Sequence, residues 1–362
     1  MRTHCLITLF SISFAIVVAQ ESRVTLLFAG DAMQHMPQVN AAQTDSGYNY
    51  DSVFELVKEK ITKADIAVVN FETTLGGKPY TGYPLFSSPN EYAIALKNAG
   101  FNIFLTANNH ALDTGKKGLE QTIRVIKEQG VKQTGTFESK EQRELNYPLM
   151  IIKNGIRIAF LNYTYGTNGL IVEKPNIVNL IDTLLIKDDI EMAKLLSPDI
   201  MIAAMHWGEE YHTKPSLEQK EIAQFLLSND VRIIIGHHPH VVQPIETSWE
   251  NQNISHTVFY SLGNFVSNQR KLNTDGGMLA EIVITKDDDD ASINIESVNY
   301  SFIWVHKYFE EEMPVYRLIP ISKNDSIYRQ TRDENIYNLQ PYEQSTLNRF
   351  VKSAMKTVNA SF

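Results

Sequence analysis

The chain has almost no thiol to work with. Its one cysteine, Cys5, lies in the first residues, inside a segment that export would remove. The mature protein is therefore expected to have no disulfide, no thiolate ligand and no cysteine nucleophile. Two further motifs are missing: the Gly-x-Ser-x-Gly turn that presents a nucleophilic serine, and a glycine-rich phosphate loop. A net charge of -9 leaves no broad basic surface, which argues against nucleic acid as a partner. Beyond the N-terminus no apolar run reaches the roughly 20 residues of a spanning helix, so no transmembrane segment is expected in the mature chain. There is no internal repeat and no low-complexity linker. Any cation must be held by Asp, Glu, Asn and His.

What is present describes a folded protein. Of 362 residues, 43% are hydrophobic and 21% charged, ordinary proportions for a chain with a large core. The N-terminus, "MRTHCLITLFSISFAIVVAQ", combines Arg2, a short apolar stretch and the small-residue ending Val17-Val18-Ala19. That pattern predicts a secretory signal over 1–19 and a periplasmic or extracellular protein. The remainder reads as one domain over 20–310, with a C-terminal extension over 311–362 that ends in an amphipathic helix packed on the same domain.

Apolar runs alternate with amphipathic stretches. "VTLLFAG", "DIAVVN", "FNIFLTAN", "DIMIAAMHWG" and "VRIIIGHH" predict buried strands. Between them lie helices such as Thr114–Gly130, with Thr114 as its cap and Gly130 as its end. "PLMIIKNGIRIAFLNY" predicts a hairpin turning at Asn154-Gly155, and "HTVFYSLGNF", "GGMLAEIVIT" and "ASINIESVNYSFIWV" predict antiparallel strands. The class is α/β with a mixed sheet or two packed sheets. The acidic run Lys286–Asp290 reads as a solvated turn.

Polar groups gather where these strands end. "AGDAMQH" offers Asp31 and His35; "NFETTLG" offers Asn70 and Glu72; "TANNHALDTG" offers Asn108, Asn109, His110 and Asp113; "MHWGEEY" offers His206 and Glu209; "GHHPHV" offers His237, His238 and His240. One such loop is ordinary turn chemistry. Five at the carboxyl ends of strands, where α/β sheets bind ligands, point to a cation site. Oxygen and imidazole donors suit divalent metals that do not require soft ligands, and two ions fit the number of donors better than one. Trp207 and Tyr211 stand beside His206, and Lys78 and Tyr80 belong to a Gly/Pro-rich loop long enough to cover the site.

The ordered series "GD", "NFE", "NNH", "HWG", "GHHPHV" and "SLGNF" resembles the capsule-biosynthesis CapA family, the poly-gamma-glutamate synthesis proteins of the calcineurin-like metallophosphoesterase superfamily. The resemblance runs from about Val24 to about Val305. It implies a four-layer sandwich, two mixed β-sheets flanked by helices, with two divalent metal ions (Mn, Zn, Fe or Mg) at the strand ends. Carried over by position, it makes Asp31, Glu72, Asn109, His206, His238 and His240 metal ligands and His110 the group that protonates the leaving group. It leaves His35, Asn70, His237 and Asn264 around them, touching ligands or substrate.

Two positions depart from the superfamily pattern. Met33 stands where a histidine is usual, with His35 nearby as a substitute, and "NFETT" replaces Gly-Asp-x-x-Asp. CapA-like proteins share both departures. The implied function is a secreted metal-dependent hydrolase of poly-gamma-glutamate or a related envelope polymer, using a metal-activated water. The alternatives are an envelope phosphoesterase and a non-catalytic polymer-binding or export accessory. The partners implied are an anionic polymer or phosphate-ester substrate and other capsule-synthesis proteins.

Overall fold

A computed structural model describes residues 22–321 and 341–359; the signal expected over 1–19 lies outside the described residues. The chain begins with β1 (Ser22–Ala32), α1 (Met36–Ala41), the short pair β2 (Gln43–Thr44) and β3 (Gly47–Tyr48), and α2 (Asp51–Thr62). Strand–helix alternation follows: β4 (Ile66–Phe71), α3 (Asn90–Ala99), β5 (Ile103–Leu105), α4 (Gly115–Glu128) and β6 (Lys132–Thr134). Next come β7 (Thr136–Phe137), α5 (Lys140–Asn146), β8 (Leu149–Lys153), β9 (Ile156–Thr164), β10 (Ile177–Val178) and α6 (Thr183–Leu195). The second alternating stretch is β11 (Ile200–His206), α7 (Leu217–Leu227) and β12 (Val231–His237). It leads into β13 (Ile245–Glu250), β14 (Asn253–Phe259), β15 (Asn264–Val266), β16 (Gly276–Lys286), β17 (Ile293–Glu310) and β18 (Met313–Ile321), and the last helix is α8 (Pro341–Asn359).

Fourteen strands hydrogen-bond in the order β6-β5-β4-β1-β16-β17-β14-β12-β11-β9-β8, with β13 on β14, β15 on β1 and β18 on β17. β14 and β17 share one register pair, Ile254 with Ile295. On either side of that seam the two halves face each other across one core. Phe28, Val68 and Leu105 from one half meet Phe160, Ile202 and Ile235 from the other in a single apolar cluster. Because side chains alternate along a strand, the opposite residues point outward, and helices cover them. Phe54 and Val57 of α2 and Leu96 of α3 pack on Leu27, Val69 and Phe104. Ile186 and Ile190 of α6 and Leu226 of α7 pack on Leu161, Ala203 and Ile234. The result is the expected helix–sheet–sheet–helix sandwich, and it explains the unbroken apolar runs: β4, β11 and β12 are buried on both faces.

The sheet is mixed. β1, β4, β5 and β6 run parallel, as do β9, β11, β12 and β14, whereas β16 is antiparallel to β1 and β17. The Asn154-Gly155 turn is as expected, with both residues at positive φ (49° and 78°) between paired Lys153 and Ile156. The strand expected in "HTVFYSLGNF" is two strands. β14 is antiparallel to β13 and β17 but parallel to β12; the chain then crosses halves through Gly263 (φ 70°) to put β15 parallel to β1. Thr114 precedes α4 without a side-chain cap, because its hydroxyl bonds Thr74 Oγ1 instead (2.7 Å). β18 pairs with β17 from Phe302↔Ile321 to Glu310↔Met313, so the boundary drawn at 310 falls in a hairpin turn. Phe350, Val351, Ala354 and Val358 of α8 join the central core. Lys286–Asp290 ends β16 in a turn where Asp287 Oδ1 accepts the Asp289 N–H.

The crossing segment depends on close backbone approach. A Cβ on Gly30 would lie 1.9 Å from the Gly263 carbonyl oxygen, next to the bond from Asp31 N–H to that same oxygen (3.0 Å). Neither backbone can retreat without breaking the β1–β15 register. Gly30→Ala is therefore expected to destabilise the protein by at least about 1–3 kcal/mol, measured as a lower midpoint in urea unfolding. A midpoint equal to the parent would show that the two strands are not held this closely.

A candidate metal centre at the strand ends

The topology brings the separate motifs to one place. Asp31 is at the end of β1, Asn70 near the end of β4 with Glu72 just beyond, and Asn109 and His110 follow β5. His206 and His237 are the last residues of β11 and β12, and Asn264 is the first of β15. All of them are buried.

Asp31 is the point of convergence. Its Oδ1 accepts from Asn70 Nδ2 (2.8 Å), and its Oδ2 accepts the His238 backbone N–H (3.2 Å) and faces His240 Nδ1 (3.1 Å). His237 Nδ1 lies 3.4 Å from Oδ1, but its alignment is poor and both its ring nitrogens are left without a hydrogen bond. Burial alone would raise the Asp31 carboxyl, yet the His237 and His240 imidazoles hold it well below the usual range. Glu72 is pushed the other way, well above the carboxylate range, by burial and by the nearby charge of Asp31. One of its oxygens accepts from Asn70 Nδ2 (3.2 Å), and the other, Oε1, has no partner.

Two sets of donors could each hold a cation, Asp31–Glu72–His206 and Glu72–His238–His240, with the ligand atoms of each set within 4.8 Å of one another. Glu72 belongs to both, as a bridging carboxylate would. The orphaned Glu72 Oε1 and His238 Nδ1 are buried polar atoms with nothing to bind, a costly arrangement that a cation relieves. Burial pushes His206 well below the usual imidazole range and His238 down to about 3, so both are neutral at neutral pH, the form in which an imidazole can take a cation. His238 and His240 sit at positive φ (96° and 58°), the backbone strain that recurs at functional sites. The residues fit a site for divalent cations that prefer oxygen and nitrogen.

The other expected residues divide. Asn109 turns Oδ1 to His206 Nε2 (2.8 Å) and Nδ2 to Asn168 Oδ1 (3.2 Å). Asn264 Oδ1 meets His240 Nδ1 (3.1 Å). Asn70 links Asp31 and Glu72 and lies 3.3 Å from His206 Nδ1. His35 joins neither donor set; its Nδ1 accepts the Asn268 N–H (3.3 Å) and its ring stands edge-on to Phe86. His110 Nδ1 bonds Asp113 Oδ2 (2.7 Å), which also accepts the Phe86 N–H (2.6 Å). That second donor assigns the shared proton to His110 Nδ1 and leaves Nε2 as its free nitrogen.

Some participants were not legible in the motifs. Of the two glutamates after His206, Glu209 turns to His212 in solvent, and Glu210 reaches to 4.0 Å from His240 Nε2. Trp207 is a core residue bonded to the Tyr260 carbonyl (2.9 Å), whereas Tyr211 faces His240. Tyr165 lies against His238 (4.6 Å between ring centroids). Its place directly after β9 was the available signal, although an aromatic there reads as packing. The Gly76–Ser88 loop reaches the site through Phe86, 4.6 Å from the His110 ring, while Lys78 and Tyr80 pack on each other.

The model of a family described as "Bacterial capsule synthesis protein PGA_cap" matches residues 25–269. "Capsule biosynthesis protein CapA" of Bacillus anthracis is 30% identical over 297 residues, 77% of this chain and 68% of that protein. "PGA biosynthesis protein CapA" of Bacillus subtilis (strain 168) is 30% identical over 244 residues, 65% of this chain and 62% of that one. Among solved structures, the calcineurin-like phosphoesterase YfkN from Bacillus subtilis is 14% identical, with a TM-score of 0.45 covering 93% of this chain and 100% of that one.

The raised Glu72 carboxyl gives a proton-linked outcome. In the metal-free protein Glu72 stays protonated above the ordinary value of 4.5, and a cation can bind only the carboxylate. Binding should therefore release about one proton that the neutral histidines do not supply, and affinity should rise with pH until Glu72 ionises unaided. Calorimetric titration with Mn²⁺ in two buffers of different ionisation enthalpy measures this. Glu72→Gln should abolish the release, and parent protein that binds without releasing a proton would contradict the assignment.

Proposed function

The chain belongs to the bacterial capsule synthesis protein family PGA_cap, and from that membership we propose that it is a secreted metal-dependent hydrolase acting on poly-gamma-glutamate or a related capsule or cell-envelope polymer. The observation that carries the reading is Glu72: a buried carboxylate common to two donor sets, with one oxygen unpartnered. Export rests on the N-terminal sequence, whose Arg2, apolar stretch and Val17-Val18-Ala19 ending suit a signal peptide. On this reading the work is done in the periplasm or outside the cell.

Asp31, Glu72, Asn109, His206, His238 and His240 would hold two divalent cations. When bound, such ions supply Lewis acidity, making a water more acidic and neutralising charge that develops on the substrate oxygen. The rest falls to side chains. Asp113 accepts the Nδ1 proton of His110, so the second proton of the imidazolium form, carried on Nε2, would pass to the departing group as water adds to the scissile carbonyl or phosphoryl centre and the bond to that group breaks. Phe86 closes one side of His110 and restricts its ring. Tyr165 and Tyr211 flank His238 and His240, forming walls against which an extended chain can lie.

Metal analysis by mass spectrometry tests this on the purified chain beside a His238→Ala/His240→Ala variant. About two ions per chain are expected in the parent, with a clear loss in the variant. Poly-gamma-glutamate and phosphate monoesters and diesters, assayed in parallel, identify the bond cut, and His110→Ala should slow hydrolysis by about 10²–10⁴-fold with the metal retained. A parent that takes up no Mn²⁺, Zn²⁺ or Fe²⁺ and cuts none of these would leave a polymer-binding accessory role in place of catalysis.

A further inference from the structure

A group of cations beside the site is held in place by uncharged partners. The loop from Ser267 to Thr274 reads "SNQRKLNT", with two cations and no acid. It is tied to the metal centre through Asn264, whose Nδ2 donates to Gln269 Oε1 (2.9 Å) and to the Thr274 carbonyl (2.8 Å) while its Oδ1 meets His240. Lys271 Nζ stands 3.7 Å from the centroid of Tyr211, the ring that faces His240. Arg270 donates to the Val305 carbonyl (3.2 Å) and lies over Tyr316 (5.9 Å). Lys307 Nζ donates to Asn268 Oδ1 (3.1 Å), which also accepts from the Tyr316 hydroxyl (2.7 Å), and it too lies over the Tyr316 ring (5.6 Å). Asn268 in turn donates its N–H to His35.

Aromatic faces, an amide and a carbonyl thus fix three cations, and none of the three pairs with a carboxylate among the described residues. Two acids stand by without an ion pair to them: Asp275, which acts on Arg270 from a distance, accepts from Trp304 Nε1 (3.2 Å), and Glu210 bonds Tyr211 and reaches to His240. In a chain with a net charge of -9, a file of cations with no direct ion pair among the described residues, beginning beside the site, is suited to an anionic ligand.

We propose that Lys271, Arg270 and Lys307 form a track that binds successive carboxylates of a polyanionic chain on one side of the bond to be cut. The proposal deepens the function above and rests on it for the polymer. Lys271, nearest the site, takes the first anionic group beyond the reacting centre, and Arg270 and Lys307 take those further along. A polymer then binds by several weak ion pairs at once, each modest at an exposed surface and together cumulative. A substrate as short as a dimer reaches Lys271 at most and gains little from the track.

The test uses the full chain carrying His110→Ala, so that binding is read without cleavage, and a fluorescent poly-gamma-glutamate probe followed by anisotropy. Arg270→Gln/Lys271→Gln/Lys307→Gln should weaken probe binding by about ten- to a hundredfold and flatten its salt dependence. The charge-keeping variant Arg270→Lys/Lys271→Arg/Lys307→Arg should retain most of the affinity. Without the His110 change, the neutral triple variant should raise KM for long polymer by a larger factor than KM for a glutamyl dimer, which can engage Lys271 alone. Equal probe affinity in parent and neutral variant overturns the track, as does an uncharged polymer binding as tightly as the polyanion. So does a preference for polyphosphate that the three substitutions leave intact. Failure of the proposed hydrolysis would appear separately, as lost cleavage with the charge-dependent binding retained.

Discussion

The structure turns on the buried Asp31 carboxylate. A charge out of water is tolerated only when every lone pair is answered, and the fold answers these from opposite directions. Asn70 arrives on β4, the His238 amide and His240 ring after β12, and the Gly263 carbonyl fixes the Asp31 backbone from the crossing before β15. These contacts come from both halves of the sandwich, so one carboxylate ties the halves together where the cleft opens. The bare Cα of Gly30 permits that approach, and the positive φ values of His238 and His240 are the local strain accompanying it.

Glu72 is the counterpart that the protein alone does not satisfy. Close to Asp31 in a dry setting, two carboxylates cannot both ionise easily, and one Glu72 oxygen is left unpaired. A cation resolves both problems. His206 and His238, kept neutral by burial, are ready to share it. A loop cation would quench the centre if it came close enough to pair with these carboxylates. Lys271 is instead held against the Tyr211 ring, which under the proposed function would leave the acidic interior to metal and the cationic rim to substrate.

Much of the fold was legible because parallel strands buried on both faces leave an unmistakable record. "IAVVN" and "VRIII" could be little else, and Asn154-Gly155 carries its own turn geometry. The tyrosine walls and the choice between Glu209 and Glu210 were not legible. Adjacent glutamates have the same chemistry, and only the turn after β11 decides that one points to solvent and the other to His240. Likewise Thr114 has the composition of a cap, but Thr74, forty residues earlier, takes its hydroxyl. The break in "HTVFYSLGNF" was hidden because both pieces are apolar, and only their partners belong to different halves.

By itself the sequence determined the donor chemistry: with no cysteine in the expected mature chain and five strand ends carrying oxygen or imidazole groups, only a hard or borderline cation could be served. It also determined which segments were buried, since hydrophobic periodicity is a local property. Tertiary structure alone decided how the donors combine. Glu72 shared between two sets, Asp113 orienting His110, His35 turned to Asn268, and Lys271 set beside Tyr211 all depend on contacts between residues far apart in the chain. Distances of a few ångströms, which local patterning does not encode, separate a candidate ligand from a neighbour and an ion-paired cation from an unpaired one.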